Sequence, residues 1–244
     1  MDVPSGARPG RSPVPVSRRQ LFALATTLGL TATTAACTAR TAAAPGTAAT
    51  PAVMLCREAW GARPPRAGGR RHTPNRLTLH HAGIVLGDNS NAPNRFRQDQ
   101  RYHQDSLGWI DIAYHLGVDR NGNIYQLRDP AIAGDTATDY DTTGHFLIIC
   151  EGDFDKEAIT EAQLAGTALA FAWAANRYGI DSGTLAGHRD FAQTSCPGMN
   201  LYSHVASGDL KRRIDALLDN GGVNMRLLCG PAGAARVAAI EAGN

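Results

Sequence analysis

Two histidines and a cysteine stand out as residues able to hold a metal. His80 ends the apolar run Leu77-Thr78-Leu79-His80-His81, and His188 and Cys196 lie in the stretch from Gly187 to Pro197, Gly-His-Arg-Asp-Phe-Ala-Gln-Thr-Ser-Cys-Pro. Imidazole nitrogen and thiolate sulphur suit zinc. Three protein ligands with a fourth position left to water describe a catalytic site rather than a structural one. Zinc held in this way brings the pKa of its bound water to about 7 and polarises a carbonyl, which is hydrolytic chemistry. Between the two halves of the set lies Gly108-Trp109-Ile110-Asp111-Ile112-Ala113-Tyr114-His115, and the phenol of Tyr114 is a candidate donor to an oxyanion. A lone histidine is more often a surface or capping group than a ligand, and spacing alone makes this a weak linear pattern. His80 has the further argument that a polar ring ending an apolar strand is costly unless it coordinates or hydrogen-bonds. His81 points to the opposite face by strand alternation.

These residues need elements to position them. Arg76 to His80 is an apolar, β-rich run that predicts an inner strand. Asn91-Ala92-Pro93-Asn94 opens a helix to about Ser106, with Phe96, Tyr102 and Leu107 as its buried side and Gly108 as its stop. Asn121-Gly122 between apolar runs predicts a hairpin joining Tyr114–Asp119 to Ile124–Leu127. Phe146 to Cys150 is a continuous apolar run, suited to a strand covered on both faces. Glu151, at its end, reads as a surface residue. Thr160 and Gln163 form a capping box at the start of the longest helix, which Gly179 ends. A strand at Thr184-Leu185-Ala186 delivers His188 to a loop, and Leu210 to Leu218 is a last helix. His103, within the first helix, reads as structural. The fold class expected is α/β: a single domain with a mixed central β-sheet flanked by helices and the zinc site at one edge of the sheet.

The first residues have another purpose. Ser17-Arg18-Arg19-Gln20-Leu21-Phe22 is a twin-arginine pattern, followed by an apolar stretch to Leu30 and small residues to Ala36, so residues 1–36 read as an export signal. The apolar stretch falls short of the roughly 20 residues a membrane span requires. Thr34-Ala35-Ala36-Cys37 resembles a lipoprotein cleavage site in which Cys37 becomes a lipid anchor; ordinary cleavage after a small-x-small triplet is the alternative. Residues 37–53, rich in Ala, Thr and Pro, read as a linker that cannot build a core. The folded domain is expected over 54–220, with an Ala/Gly-rich tail over 221–244. The whole chain carries a formal charge of +2. Without the signal's Asp2, Arg8, Arg11, Arg18 and Arg19 the balance is slightly acidic, which argues against nucleic acid as a partner. The sequence leaves the oligomeric state open, with a monomer as the default.

Five cysteines remain to be placed. Cys37 belongs to processing and Cys196 to the metal, while Cys150, inside an apolar strand, reads as an inert buried thiol. Cys56 and Cys229 lie just inside the two ends of the folded region and could pair in an oxidising compartment, although spacing alone does not fix connectivity.

Taken together, residues 56–206 resemble the peptidoglycan recognition proteins and the phage-lysozyme-type N-acetylmuramoyl-L-alanine amidases. The resemblance rests on Arg57-Glu58-Ala59-Trp60-Gly61-Ala62, Leu79-His80-His81-Ala82, the stretch Gly108 to His115, Asp119-Arg120-Asn121-Gly122-Asn123-Ile124-Tyr125, and Gly187-His188-Arg189 with Cys196-Pro197. It implies a single zinc ion on His80, His188 and Cys196, with Tyr114 assisting catalysis. It further implies peptidoglycan as the partner, and action in the cell envelope or outside the cell. Recognition-only members often lose the cysteine ligand, which this chain keeps. His81 and Trp109 are the expected substrate contacts. Thr194, where some relatives have lysine, can donate a hydrogen bond but cannot act as a cationic acid. Two further departures are Thr136, where the family has a histidine, and Ile149, where cytoplasmic muropeptide amidases have a glutamate.

Overall fold

The computed structural model describes residues 48–244; the twin-arginine segment and Cys37 lie outside them. Seven strands form one sheet in the order β6-β2-β5-β3-β4-β1-β7. The strands are β1 (Thr50–Leu55), β2 (Arg76–His81), β3 (Leu116–Val118), β4 (Ile124–Gln126), β5 (His145–Cys150), β6 (Ala186–Gly187) and β7 (Val223–Leu228). Every neighbouring pair is parallel except the β3–β4 hairpin. The sheet is therefore mixed, as expected. The hairpin turn is held by Asp119, whose carboxylate accepts from the main-chain N–H groups of Asn121 and Asn123, both at 3.0 Å. Gly122 takes a φ of +80° there, and a Cβ would stand 2.4 Å from the carbonyl oxygen of Ala162.

Helices cover both faces. The central strands are buried on each side, so they read as unbroken apolar runs rather than alternating ones. Leu77, Leu79, Phe146 and Ile148 face α2 (Glu161–Tyr178) and α4 (Asp209–Asp219), packing with Leu164, Phe171 and Ile214. On the other face Ile149 and Tyr125 pack with Phe96 of α1 (Ala92–Arg101) and with Val237 and Ile240 of α5 (Gly230–Glu241). Strand alternation places Thr78 and His80 on this second face, beside Ile149 in register.

Several local expectations change. After Arg101 the first helix continues as one π turn, Tyr102–Ser106. Phe96, Gln100 and His103 share its buried face, whereas Tyr102 is 57% exposed. At about 100° per residue a position six beyond Phe96 falls on the far side of the helix, which is why Tyr102 is outside. Thr160 does cap α2, accepting from Gln163 N–H at 3.0 Å. The Gln163 side chain does not close a capping box; it bridges the strand ends, donating to Val118 O at 3.0 Å and Glu151 O at 2.9 Å. The strand before His188 is only Ala186–Gly187, preceded by a 3-10 turn at Ser182–Thr184. A short helix missed in the sequence, α3 (Met199–Ala206), follows the Cys196 loop.

The ends also differ. Strand β1 starts at Thr50, inside the stretch read as linker, and pairs along its whole length with β7, inside the stretch read as tail. Pro51 obscured this strand. Thr50 and Cys56 donate towards β7, to Gly222 O at 2.8 Å and Leu228 O at 3.1 Å. Alternation turns position 51 the other way, where β4 does not reach, so its missing N–H costs no ladder bond. Cys56 and Cys229 are disulfide-bonded, with Cα atoms 5.1 Å apart. Cys150 is a buried free thiol near the Thr167 hydroxyl, as expected. Among the described residues no helix is long and apolar enough to cross a membrane.

Candidate metal centre

Three separate elements bring the predicted ligands together. His80 is the penultimate residue of β2. His188 opens the 3-10 turn His188–Asp190 directly after β6, and Cys196 lies in the loop that follows. Asp190 fixes the turn by accepting from Gly187 N–H at 2.7 Å, and Tyr202 of α3 donates to its other oxygen at 2.6 Å. Arg189 N–H donates to Cys196 O at 2.9 Å, which ties the turn to the cysteine loop. One nitrogen from each histidine and the Cys196 sulphur lie within 4.8 Å of one another, and all three residues are buried.

The donor set fits zinc. His80 Nδ1 is 3.6 Å from Cys196 Sγ. Two ligand atoms on one tetrahedral zinc stand roughly 3.6 Å apart, given bond lengths of about 2.3 Å to sulphur and about 2.1 Å to nitrogen. His80 Nε2 is buried with no protein partner. Burial, then the charge of His188, holds the His80 pKa well below 6.5; burial brings His188 down to about 4. Both rings are therefore neutral, as ligands must be. Burial pushes the Cys196 thiol up to about 12 in the absence of a cation, and the His81 main-chain N–H, donating to its sulphur at 3.4 Å, opposes the rise.

The surrounding groove has a volume of about 260 Å³ and is lined by Trp109, Tyr114, Thr136, Thr138 and Thr194 as well as by the ligands. A second hollow of about 300 Å³ adjoins it across Trp109 and Asp135, with Arg128 in its wall. The Tyr114 ring lies 5.0 Å from that of His80. Burial, then the Cys196 charge, lifts its phenol well above 10, so it stays protonated. The loop carrying Trp109 and Tyr114 is anchored by buried Asp111, which pairs with Arg57 at 2.8 Å and accepts from Gln100 Nε2 at 2.7 Å. His103 accepts from Ala113 N–H at 3.2 Å and packs its ring 4.8 Å from Trp109, the structural role expected of it.

Two predicted residues stand differently. The His81 ring turns towards Phe154, accepting from its main-chain N–H at 3.3 Å, although His81 still borders the groove. Thr194 also borders it, and its hydroxyl accepts from Cys196 N–H at 3.2 Å.

The expectation for Glu151 is overturned. It is fully buried beside Asp99 of α1, with neither carboxylate oxygen partnered by a donor. Gln163 and the covering helix bury the strand end that the sequence presents as an edge. Thr138, whose hydroxyl lies 2.6 Å from His188 Nε2, carried no signal in the sequence because its loop has no periodic pattern.

A family model described as N-acetylmuramoyl-L-alanine amidase matches residues 70–199. Peptidoglycan-recognition protein SC2 of Drosophila melanogaster is 29% identical over 158 residues, 63% of this chain and 84% of that protein. An N-acetylmuramoyl-L-alanine amidase of Sus scrofa is 30% identical over 190 residues, 67% of this chain but 31% of the larger protein. Among solved structures, Drosophila PGRP-LB aligns with a TM-score of 0.56 at 28% identity, covering 65% of this chain and 94% of its own. A PGRP-LB variant in complex with tracheal cytotoxin aligns with the same score and identity, over 63% and 93%. With its family match spanning more than half of the sequence and its fold shared with those proteins, the chain belongs to the N-acetylmuramoyl-L-alanine amidase and peptidoglycan recognition family.

Proposed function

We propose that this protein is an exported, zinc-dependent amidase that hydrolyses the bond between the lactyl group of N-acetylmuramic acid and L-alanine in peptidoglycan. The observation that carries the reading is the convergence of His80, His188 and Cys196, with sulphur and nitrogen at tetrahedral spacing, beside the half-buried Tyr114 in an open groove. Zinc bound there supplies a Lewis acid and an activated water. The side chains do the rest. Tyr114, kept protonated by burial, donates to the oxygen that becomes negative as the amide carbonyl is attacked. Thr194 offers a hydroxyl to the same substrate, and Trp109 offers its ring as a wall for the peptide stem. The His81 N–H steadies the thiolate. Water adds across the amide, leaving a lactyl carboxylate and a free L-alanine amine. The Cys56–Cys229 disulfide supports an oxidising compartment and hence export.

A second reading, binding without cleavage, draws support from the relatives named for recognition and from Ile149 and Thr136. Incubating residues 48–244 with a defined muramyl peptide separates the two. Mass spectrometry should detect an intact stem peptide with a new L-alanine amino terminus, lost with a zinc chelator and restored by zinc. Binding without cleavage, in protein shown to contain zinc, would establish the recognition reading instead.

A further inference from the structure

We propose that the Thr138 hydroxyl is the positioning residue of the metal centre, selecting the His188 tautomer whose Nδ1 is free for the cation. The inference rests on the metal-centre reading above. Thr138 Oγ1 lies 2.6 Å from His188 Nε2, and Thr136 Oγ1 lies 2.7 Å from Thr138 Oγ1. The Thr138 main-chain N–H also donates to Thr136 Oγ1, at 3.1 Å, which ties the two residues together.

Only one direction of these bonds agrees with a ligand at position 188. If Thr138 donated to Nε2, the ring proton of the neutral imidazole would sit on Nδ1 and face the other ligands. With the proton on Nε2, the ring donates to Thr138 Oγ1, whose own proton passes to Thr136 Oγ1, and Nδ1 presents its lone pair. Around this link the His188 ring is confined by Tyr140, at 5.1 Å between centroids, and by His80, at 4.7 Å. Metal-bound histidines usually give their second N–H to a carboxylate, a carbonyl or water, and losing that partner costs about 10–100-fold in metal affinity. Here a threonine pair from the loop between β4 and β5 takes the place of that partner.

The test is zinc affinity, by competition with a chromophoric chelator, in wild type, T138V and T138S. Valine keeps the shape and removes the hydroxyl; serine keeps the hydroxyl. T138V should bind zinc about 10–100-fold more weakly, with T138S within a few-fold of wild type. Proton–nitrogen NMR of the zinc-loaded wild type should show the His188 proton on Nε2. If T138V melts early, T136V offers the second probe. It leaves the 2.6 Å contact intact and should weaken zinc less than T138V does. Equal zinc affinity in T138V and wild type, or a proton on His188 Nδ1, would overturn the proposal while leaving the metal centre standing. No zinc binding by wild type would overturn both.

Discussion

Tyr114 sits close enough to His80 for ring contact, yet it is not a ligand, so its removal separates chemistry from metal binding. Y114F should lower kcat by about 10²–10³, the usual loss when one donor to an oxyanion goes, with zinc content unchanged. Steady-state kinetics beside metal analysis checks this. Cys196→Ala, by contrast, should lose both zinc and turnover, and full activity in that variant would refute the mechanism. The candidate ligands were legible in the sequence because each stands in a local motif. That they meet at one point was implied only by the family resemblance, since the shared strands β2 and β6 join positions far apart in the chain. Thr138 was not legible, because a hydroxyl in an irregular loop acquires its role from where the loop closes.

At the scale of elements, α1 and the end of β5 enclose a pair of acids. Burial raises the pKa of Asp99 against the pull of Arg95, and burial followed by Asp99 raises that of Glu151. Neither Glu151 oxygen has a donor, so burial and the neighbouring acid hold the pair towards the protonated form. In the unfolded chain both ionise above about pH 4–5. The folded state then holds more protons than the unfolded one, and stability falls as pH rises towards the folded pKa of the pair. Each retained proton is worth about 1.4 kcal/mol per pH unit. Melting curves from pH 5 to 8 should therefore decline more steeply for wild type than for E151Q; parallel curves would refute the raised pKa of Glu151. The sequence concealed this pair because Asp99 and Glu151 are local surface types, and only the packing of α1 across the sheet buries them. Where the apolar pattern was strong, as in α2 and the unbroken run of β5, the elements matched expectation. In β1, which carries Pro51, and in β7 it failed, because strand pairing rather than local preference defines those segments, and in α5 an Ala-rich stretch hid the few residues that pack on the core, Val237 and Ile240.

The molecule as a whole is tied at its margins by the Cys56–Cys229 disulfide, which spans 173 residues of sequence. Losing a link over so long a loop typically costs about 2–5 kcal/mol. The double variant Cys56→Ala, Cys229→Ala should accordingly melt well below wild type while its zinc affinity stays the same, since the ligands lie on β2 and around β6 at the opposite end of the sheet. Calorimetry with a parallel zinc titration distinguishes this from a general loosening, in which zinc affinity would fall too.

The pairing of β1 with β7 also sets an order of events during synthesis. The ribosome delivers β1 first, and for most of its length this strand has no partner until residues 223–228 emerge, because β4 reaches only Met54 and Leu55. His80, His188 and Cys196 have all been made by then. The candidate metal centre can thus assemble on a sheet whose rim is still open, and Cys56 lacks its disulfide partner until Cys229 is made. A Cys56–Cys229 bond can therefore form only in a chain made past the last strand, and a chain cut short before Cys229 leaves Cys56 without that partner.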